Sequence, residues 1–104
     1  MIEKARQYIE QNYTDHSISL QSVSASVNMS SCYFSILFKQ ECGKSFISYL
    51  TDLRMEKAKE YLRETGLCTY EIADRIGFAD PHYFSLTFRR RTGMTPKQYR
   101  EAEK

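Results

Sequence analysis

Residues that interrupt a helix are scarce in this sequence. Its 104 residues include only four glycines and two prolines, and it contains no tryptophan. Amphipathic stretches occupy most of the chain, so we expect an all-α protein. Hydrophobic residues make up 41% of the sequence, which is enough apolar material for one domain over residues 1–104 to fold without disulfides or a structural metal.

Cysteine, long apolar runs and net charge are also limited. The three cysteines are odd in number and lack CxxC spacing, which disfavours a disulfide framework or a metal site and favours a reducing cytoplasm. No apolar run approaches the roughly eighteen residues of a membrane span, and the N-terminus does not resemble a signal peptide. We therefore expect a cytoplasmic protein without a membrane partner. A net charge of +2 does not by itself indicate nucleic acid.

Catalytic patterns are missing as well. The sequence shows no paired carboxylates at a pocket, no nucleophile next to a base and no glycine-rich phosphate loop. We therefore expect neither an enzyme nor a cofactor.

One aromatic and serine-containing segment occurs twice, as CYFSILFKQECGKS and about fifty positions later as HYFSLTFRRRTGMT. The residues that return at one offset are Tyr33, Phe34, Ser35, Phe38, Gly43 and Tyr49, which become Tyr83, Phe84, Ser85, Phe88, Gly93 and Tyr99. The second copy is far more basic. The stretch from Arg89 to Arg100, which begins in this copy and runs past its end, contains five cations and no acid. A basic run alone is as compatible with an ordinary solvent-exposed surface as with a nucleic-acid contact.

Apolar spacing and capping residues predict seven helices. The predicted helix starts are Ser17 or Ser19, Ser30 or Ser31, Ser45, Thr69, Asp80 with Pro81, and Thr95 with Pro96. The predicted helix ends are Asn28, Gly43, Gly66, Gly77 and Gly93. The aromatic pairs Tyr33–Phe34 and Tyr83–Phe84 are expected in or near the core.

The repeat is a short helix, a tight turn and a longer helix, which is typical of a helix-turn-helix motif. Ala73 and, four residues later, Gly77 supply the small residue and the positive φ that this motif needs, and Ser24 and Asn28 take those places in the first copy. Either copy alone could be two packed helices, but two copies in phase favour DNA binding. We predict two homeodomain-like subdomains, at about 1–44 and 65–104, joined by a long linker helix at about 45–64.

The second helix of each copy presents a polar outer face opposite its buried aromatic residues. The predicted DNA-contacting residues are Ser31, Cys32, Ser35, Ile36 and Lys39 in the first copy and Pro81, His82, Ser85, Leu86, Arg89 and Arg90 in the second. Hydroxyls and cations suit a helix in a major groove, and Ile36 or Leu86 could contact a thymine methyl. Alternatively, both apolar residues pack against a neighbouring domain or subunit, and His82 is an ordinary surface residue.

Both copies, the helix between them and the segment FADPHYFSLTFRRRTGMTPKQYR resemble the C-terminal DNA-binding domain of the AraC/XylS family of bacterial transcription regulators. The residues of the second copy and the last helix that match the family signature are Ile72, Ala73, Gly77, Phe78, Asp80, Tyr83, Phe84, Phe88, Gly93, Thr95, Pro96, Tyr99 and Arg100. The resemblance implies that the second helix of each copy, the recognition helix, enters the major groove of double-stranded DNA. By position, it implies that bases are read by Cys32, Ser35, Ile36, His82, Ser85 and Leu86.

The resemblance also implies partners. Family members usually carry a sensing domain ahead of this one, and the opening IEKARQYIEQNY resembles the junction helix that follows the receiver in response regulators of this family. We therefore expect a fragment of a longer regulator with an N-terminal sensing or receiver domain and RNA polymerase as partners, although small stand-alone members exist.

The length of the linker helix supports duplex binding. About eighteen residues span roughly 27 Å at 1.5 Å per residue, close to the ~34 Å repeat of the major groove. Two other functions stay open: a helical interaction or dimerisation module that uses Ile36 and Leu86, and RNA binding by the basic helix.

Overall fold

The structure is a computed structural model that describes residues 2–103. In this range the chain is all-α, with seven helices and no strand. The helices are α1 (Ile2–Asn12), α2 (Leu20–Ser26), α3 (Ser31–Cys42), α4 (Phe46–Glu64), α5 (Thr69–Arg75), α6 (Pro81–Thr92) and α7 (Pro96–Ala102). The predicted fold class and helix number are confirmed.

The helices belong to two compact units that divide between Leu53 and Arg54, within α4. The first unit contains α1, α2, α3 and the N-terminal part of α4. The second contains the rest of α4 with α5, α6 and α7. Each unit has its own core.

The core of the first unit forms around two phenylalanines of α3. Phe34 and Phe38 are fully buried, with ring centroids 5.5 Å apart. The other buried hydrophobic residues of this core are Ile2, Ala5, Ile9, Val23, Phe46 and Leu50. The side chains of α1 recur at spacings of three and four, which places one apolar face of this helix on the core. Replacing either phenylalanine by alanine would cost about 3–5 kcal/mol.

The second unit has the same arrangement around α6. Phe84 and Phe88 are fully buried, and the ring of Phe78 lies 5.5 Å from that of Phe84. The guanidinium of Arg54 lies 5.3 Å from the centroid of the Phe78 ring, a cation–π distance. From α4, Met55 contributes a side chain that is buried at 3% exposure.

The turn of each helix-turn-helix motif has one residue with positive φ, as predicted. This residue is Asn28 in the first unit (φ 58°) and Gly77 in the second (φ 99°). The next residue then donates its N–H to a carbonyl five residues back, Met29 to Ser24 at 3.0 Å and Phe78 to Ala73 at 2.9 Å. Two different residues thus produce the same helix end.

Capping residues define the helix starts. The hydroxyl of Ser19, not that of Ser17, accepts from Ser22 N–H at 3.1 Å, and Ser30 rather than Ser31 caps α3. The prediction of Thr69 as a cap was wrong by one position. Cys68, with extended backbone, is the N-cap of α5 but accepts no capping hydrogen bond through its side chain. The Glu71 carboxylate instead accepts from the Cys68 N–H at 3.3 Å and from its thiol at 2.8 Å.

Arg100 of α7 binds the end of α4 and the segment that follows it. Its guanidinium donates to the carbonyl oxygens of Leu62 at 3.1 Å, Thr65 at 3.1 Å and Leu67 at 2.7 Å. The carbonyls at the end of a helix lack partners within the helix, and a cation is favourable there. This arginine, part of the predicted basic run, is therefore engaged within the protein.

Candidate nucleic-acid interface

In the first unit, α3 is oriented by its ends and by its buried face. The Ser30 hydroxyl accepts from Tyr33 N–H at 3.2 Å at the start of the helix, and Gly43 ends it with φ 77°. Because Phe34 and Phe38 face the core, the opposite side of the helix must face outward. Four of the five predicted contact residues of α3 are exposed there: Cys32, Ser35, Ile36 and Lys39.

The fifth residue, Ser31, is only partly exposed. Its hydroxyl lies 3.2 Å from the hydroxyl of Ser24 on α2, which is buried at 2% exposure. Ser31 therefore lies at the edge of the outer face, where a buried hydroxyl in the neighbouring helix engages it.

In the second unit, α6 presents the equivalent face. Asp80 caps the helix by accepting from His82 N–H at 2.9 Å, Pro81 occupies its first position, and Gly93 ends it with φ 82°. The exposed residues among those predicted are Pro81, His82, Leu86, Arg89 and Arg90. Ser85 is half-buried, so its hydroxyl is less accessible than the sequence suggested. Within each unit, the predicted residues therefore lie on one helix face.

A shallow groove beside Ser85 adds residues that the sequence did not single out. The groove is lined by Cys68, Thr69, Tyr70, Pro81, His82 and Ser85. Thr69 and Tyr70 thus lie next to two predicted contact residues, and Tyr70 is 65% exposed. The turn at Gly77 brings the N-terminal end of α5 close to the start of α6. Helical periodicity within one segment does not reveal this proximity.

The two outer faces differ in charge. In α3, Lys39 is followed by Glu41, whereas α6 carries Arg89, Arg90 and Arg91 without an acid. Within residues 2–103, the side chains of Arg89 and Arg90 form no hydrogen bond or ion pair, so these guanidinium groups are available to an external anion.

The outer faces also carry apolar surface. Ile36 is 56% exposed and Leu86 44%, as the helical wheel predicted. Tyr33 and Tyr83 are 58% and 55% exposed, so neither lies in the core, although the ring of Tyr83 lies 5.9 Å from that of buried Phe78. Only the phenylalanine of each aromatic pair is buried, because consecutive helix residues point about 100° apart.

Among the residues that the structure describes, no three His, Cys, Asp or Glu side chains lie close enough to hold a metal ion. Over the same residues, no helix is both long and apolar enough to cross a membrane.

Two helix-turn-helix units, each with a polar recognition helix, place this chain in the class of DNA-binding domains. Comparison with known proteins supports this class, because the family described as helix-turn-helix domain matches residues 23–102. The chain belongs to this family, and its type is the AraC-type DNA-binding domain, as the sequence predicted.

Solved structures share both the fold and much of the sequence. The C-terminal domain of the two-component response regulator yesN from Fusobacterium nucleatum is 45% identical with a TM-score of 0.93, and the match covers 94% of this chain and 95% of that one. The C-terminal domain of AraT, a response regulator from Geobacillus stearothermophilus, is 44% identical with a TM-score of 0.95, covering 97% of this chain and 84% of that one.

A curated relative is much longer than the chain. The transcriptional regulatory protein YesN of Bacillus subtilis is 42% identical over 73 residues, which are 68% of this chain and 20% of that protein. The chain spans between 20% and 35% of the length of the first curated relatives that it matches.

Proposed function

We propose that this domain binds double-stranded DNA sequence-specifically through α3 and α6, each placed in a major groove, with the two grooves one helical turn apart. The observation that carries the proposal is the duplicated outer face, where polar and apolar side chains stand beside cations. Such faces suit direct readout, because hydroxyls and cations pair with base edges and phosphates while alkyl groups contact thymine methyls.

The side chains divide by reach. Cys32, Ser35 and Ile36 of α3 would face base edges, as would His82, Ser85 and Leu86 of α6. Ser31 and Pro81 occupy the first position of each recognition helix, where residues of this motif meet bases. The long cations Lys39, Arg89 and Arg90 would reach phosphates, which fix the register of the helix on the duplex.

The unequal charge of the two helices suggests a division of labour. The basic α6 would supply most of the attraction to phosphates, since each neutralised phosphate releases counterions. The nearly neutral α3 would add sequence selectivity. Both helices would still be needed for a site with two sequence blocks.

We also propose that the domain is the output domain of a response regulator. Two similar solved structures are C-terminal domains of response regulators, and the chain covers only part of its curated relatives. The whole protein would then have an N-terminal receiver or sensing domain, act in the bacterial cytoplasm and work with RNA polymerase.

Selection of bound fragments from a random duplex library tests the binding mode. Two short conserved blocks about one helical turn apart are expected. A single block would mean that only one recognition helix reads bases, and a basic protein without specificity would return no block.

The exposed Ile36 and Leu86 also fit a dimerisation module, so the same preparation should be examined by light scattering. A monomer with duplex affinity supports DNA binding. A stable oligomer without duplex affinity would replace the proposal, and preferential competition by structured RNA would redirect it to RNA.

A further inference from the structure

Ser24 is the one polar residue that is buried among residues 2–103, with 2% exposure. It lies on α2 at the position that Ala73 occupies in the second unit, so the fold requires a small residue there but not a hydroxyl. A buried hydroxyl needs hydrogen-bond partners to offset its loss of water.

The partners of Ser24 determine where its proton lies. Its Oγ is 3.1 Å from the carbonyl oxygen of Gln21, and a carbonyl oxygen can only accept. A serine hydroxyl has one proton, so Ser24 donates it to Gln21. The second contact, at 3.2 Å to the Oγ of Ser31, then requires Ser31 to be the donor.

Ser31 is therefore the donor in its hydrogen bond with Ser24. Its only hydroxyl proton points inward to Ser24, while its lone pairs remain on the partly exposed side of the first residue of α3. The opposite assignment would leave the Ser24 and Gln21 oxygens facing each other as two acceptors, which is unfavourable.

We propose that buried Ser24 makes Ser31 an acceptor-only group and thereby a determinant of base preference in the half of the site that α3 reads. This inference rests on the proposed function. An acceptor in the major groove pairs with the amino groups of adenine N6 and cytosine N4, whereas guanine O6 and thymine O4 offer only acceptors. Ser31 therefore favours adenine or cytosine over guanine or thymine at the base it contacts, and it cannot donate to a phosphate.

The second unit lacks this device, because neither Ala73 nor Pro81 has a side-chain hydroxyl. Ser24 is thus a positioning residue that acts through Ser31, and its effect is confined to one half of the site. Loss of this effect should leave the half read by α6 unchanged.

The test is selection from a random duplex library with the wild type and the variants Ser24→Ala, Ser31→Ala and Ser26→Ala. Ser24→Ala introduces the residue found at Ala73 and frees the Ser31 proton. The amino-base preference at one position is expected to fall about 2- to 10-fold, the worth of one hydrogen bond, and Ser31→Ala should remove the same preference. Ser26→Ala is the matched control, since its hydroxyl donates to Val23 within α2 at 2.6 Å.

Denaturant unfolding of each variant shows whether it is folded. If Ser24→Ala does not fold, Ser24→Cys replaces it, because a thiol is a weaker acceptor and should shift the preference in the same direction. Identical selected sequences from the wild type, the Ser24 variant and Ser31→Ala would overturn the inference and leave the proposed function intact. So would a wild-type preference for guanine or thymine at the position that Ser31→Ala alters. No selection by the wild type would instead overturn the proposed function, and the inference with it.

Discussion

Replacement of Arg100 by alanine should destabilise the second unit by about 2–3 kcal/mol. The change removes three hydrogen bonds from the guanidinium to main-chain oxygens in the last turn of α4 and in the segment that follows it. Hydrogen bonds to charged groups are worth roughly 1.5–3 kcal/mol each when buried. Here two are only partly buried and the third is exposed, so solvent reduces each contribution to about 1 kcal/mol or less.

The assay is denaturant and thermal unfolding followed by circular dichroism. For a unit of this size, 2–3 kcal/mol corresponds to a fall in Tm on the order of 10–20 °C. Arg90→Ala is the matched control, because it removes the same side chain from an exposed position without a partner and should stay within about 0.5 kcal/mol of the wild type. Arg100→Lys should give an intermediate loss, since an ammonium lacks the planar fork that reaches several oxygens. Equal stabilities of Arg100→Ala and Arg90→Ala would refute the reasoning.

Three further outcomes are expected. Gly93→Ala should lower the free energy of unfolding by about 1 kcal/mol in denaturant unfolding, because the residue has φ 82° although there is open space around its α-carbon. Gly66→Ala, with the same open space and no positive φ, should leave the free energy of unfolding unchanged or raise it by up to about 1 kcal/mol. The reverse order of stabilities would show that φ does not control the cost. In duplex-binding titrations, Arg89→Ala should lower the slope of log affinity against log salt by about 1 and Lys39→Ala by less, and equal losses would contradict the division of labour between α6 and α3. Hydrogen bonds from the thiol and then the N–H of the N-cap residue lower the pKa of Glu71 below its usual 4.5, so their stabilisation is present above that pH and is lost as pH falls through the lower, folded-state pKa. Between pH 7 and 3, the free energy of unfolding should therefore fall less for Glu71→Gln than for the wild type. Parallel plots of unfolding free energy against pH for the two proteins would contradict this.

Helix ends were well predicted from the sequence because they depend on neighbouring residues. Asp80 followed by Pro81 is a local signal, and so is Gly93 at the end of the same helix. The start of α5 was misplaced by one residue because Cys68 is an unusual cap. Its side chain accepts no capping hydrogen bond, and the Glu71 carboxylate instead accepts from its main-chain N–H, so the residue type at this position carries no N-cap signal.

Burial was predicted less well, since it depends on how the helices pack. A helical wheel places Tyr33 beside Phe34 but does not give the width of the buried stripe, and the stripe is narrow enough to leave Tyr33 outside. Arg100 looked like one more member of a basic run, yet it reaches three carbonyls more than thirty positions earlier in the chain. Long-range hydrogen bonds of this kind leave no local pattern in a sequence.

The candidate site could be predicted as a set of helix faces but not as an array of hydrogen-bonding groups. Periodicity placed Ser31 and Ser35 on the same outer face of the helix. The structure separates them, because Ser31 bonds to buried Ser24 while Ser35 is exposed. The donor or acceptor character of a hydroxyl depends on its second partner, which lies here on another helix.

The duplicated motif shows which residues the scaffold needs and which it leaves free. Its turn requires one residue with positive φ, and Asn28 or Gly77 satisfies this requirement with the same main-chain hydrogen bond. Within residues 2–103, the exposed side chains of Cys32 and His82 form no hydrogen bond or ion pair, so substitutions there cost little stability. The two recognition faces could therefore diverge in charge and chemistry while both units kept one backbone. Changes at these two positions should alter DNA preference and leave the unfolding free energy nearly unchanged.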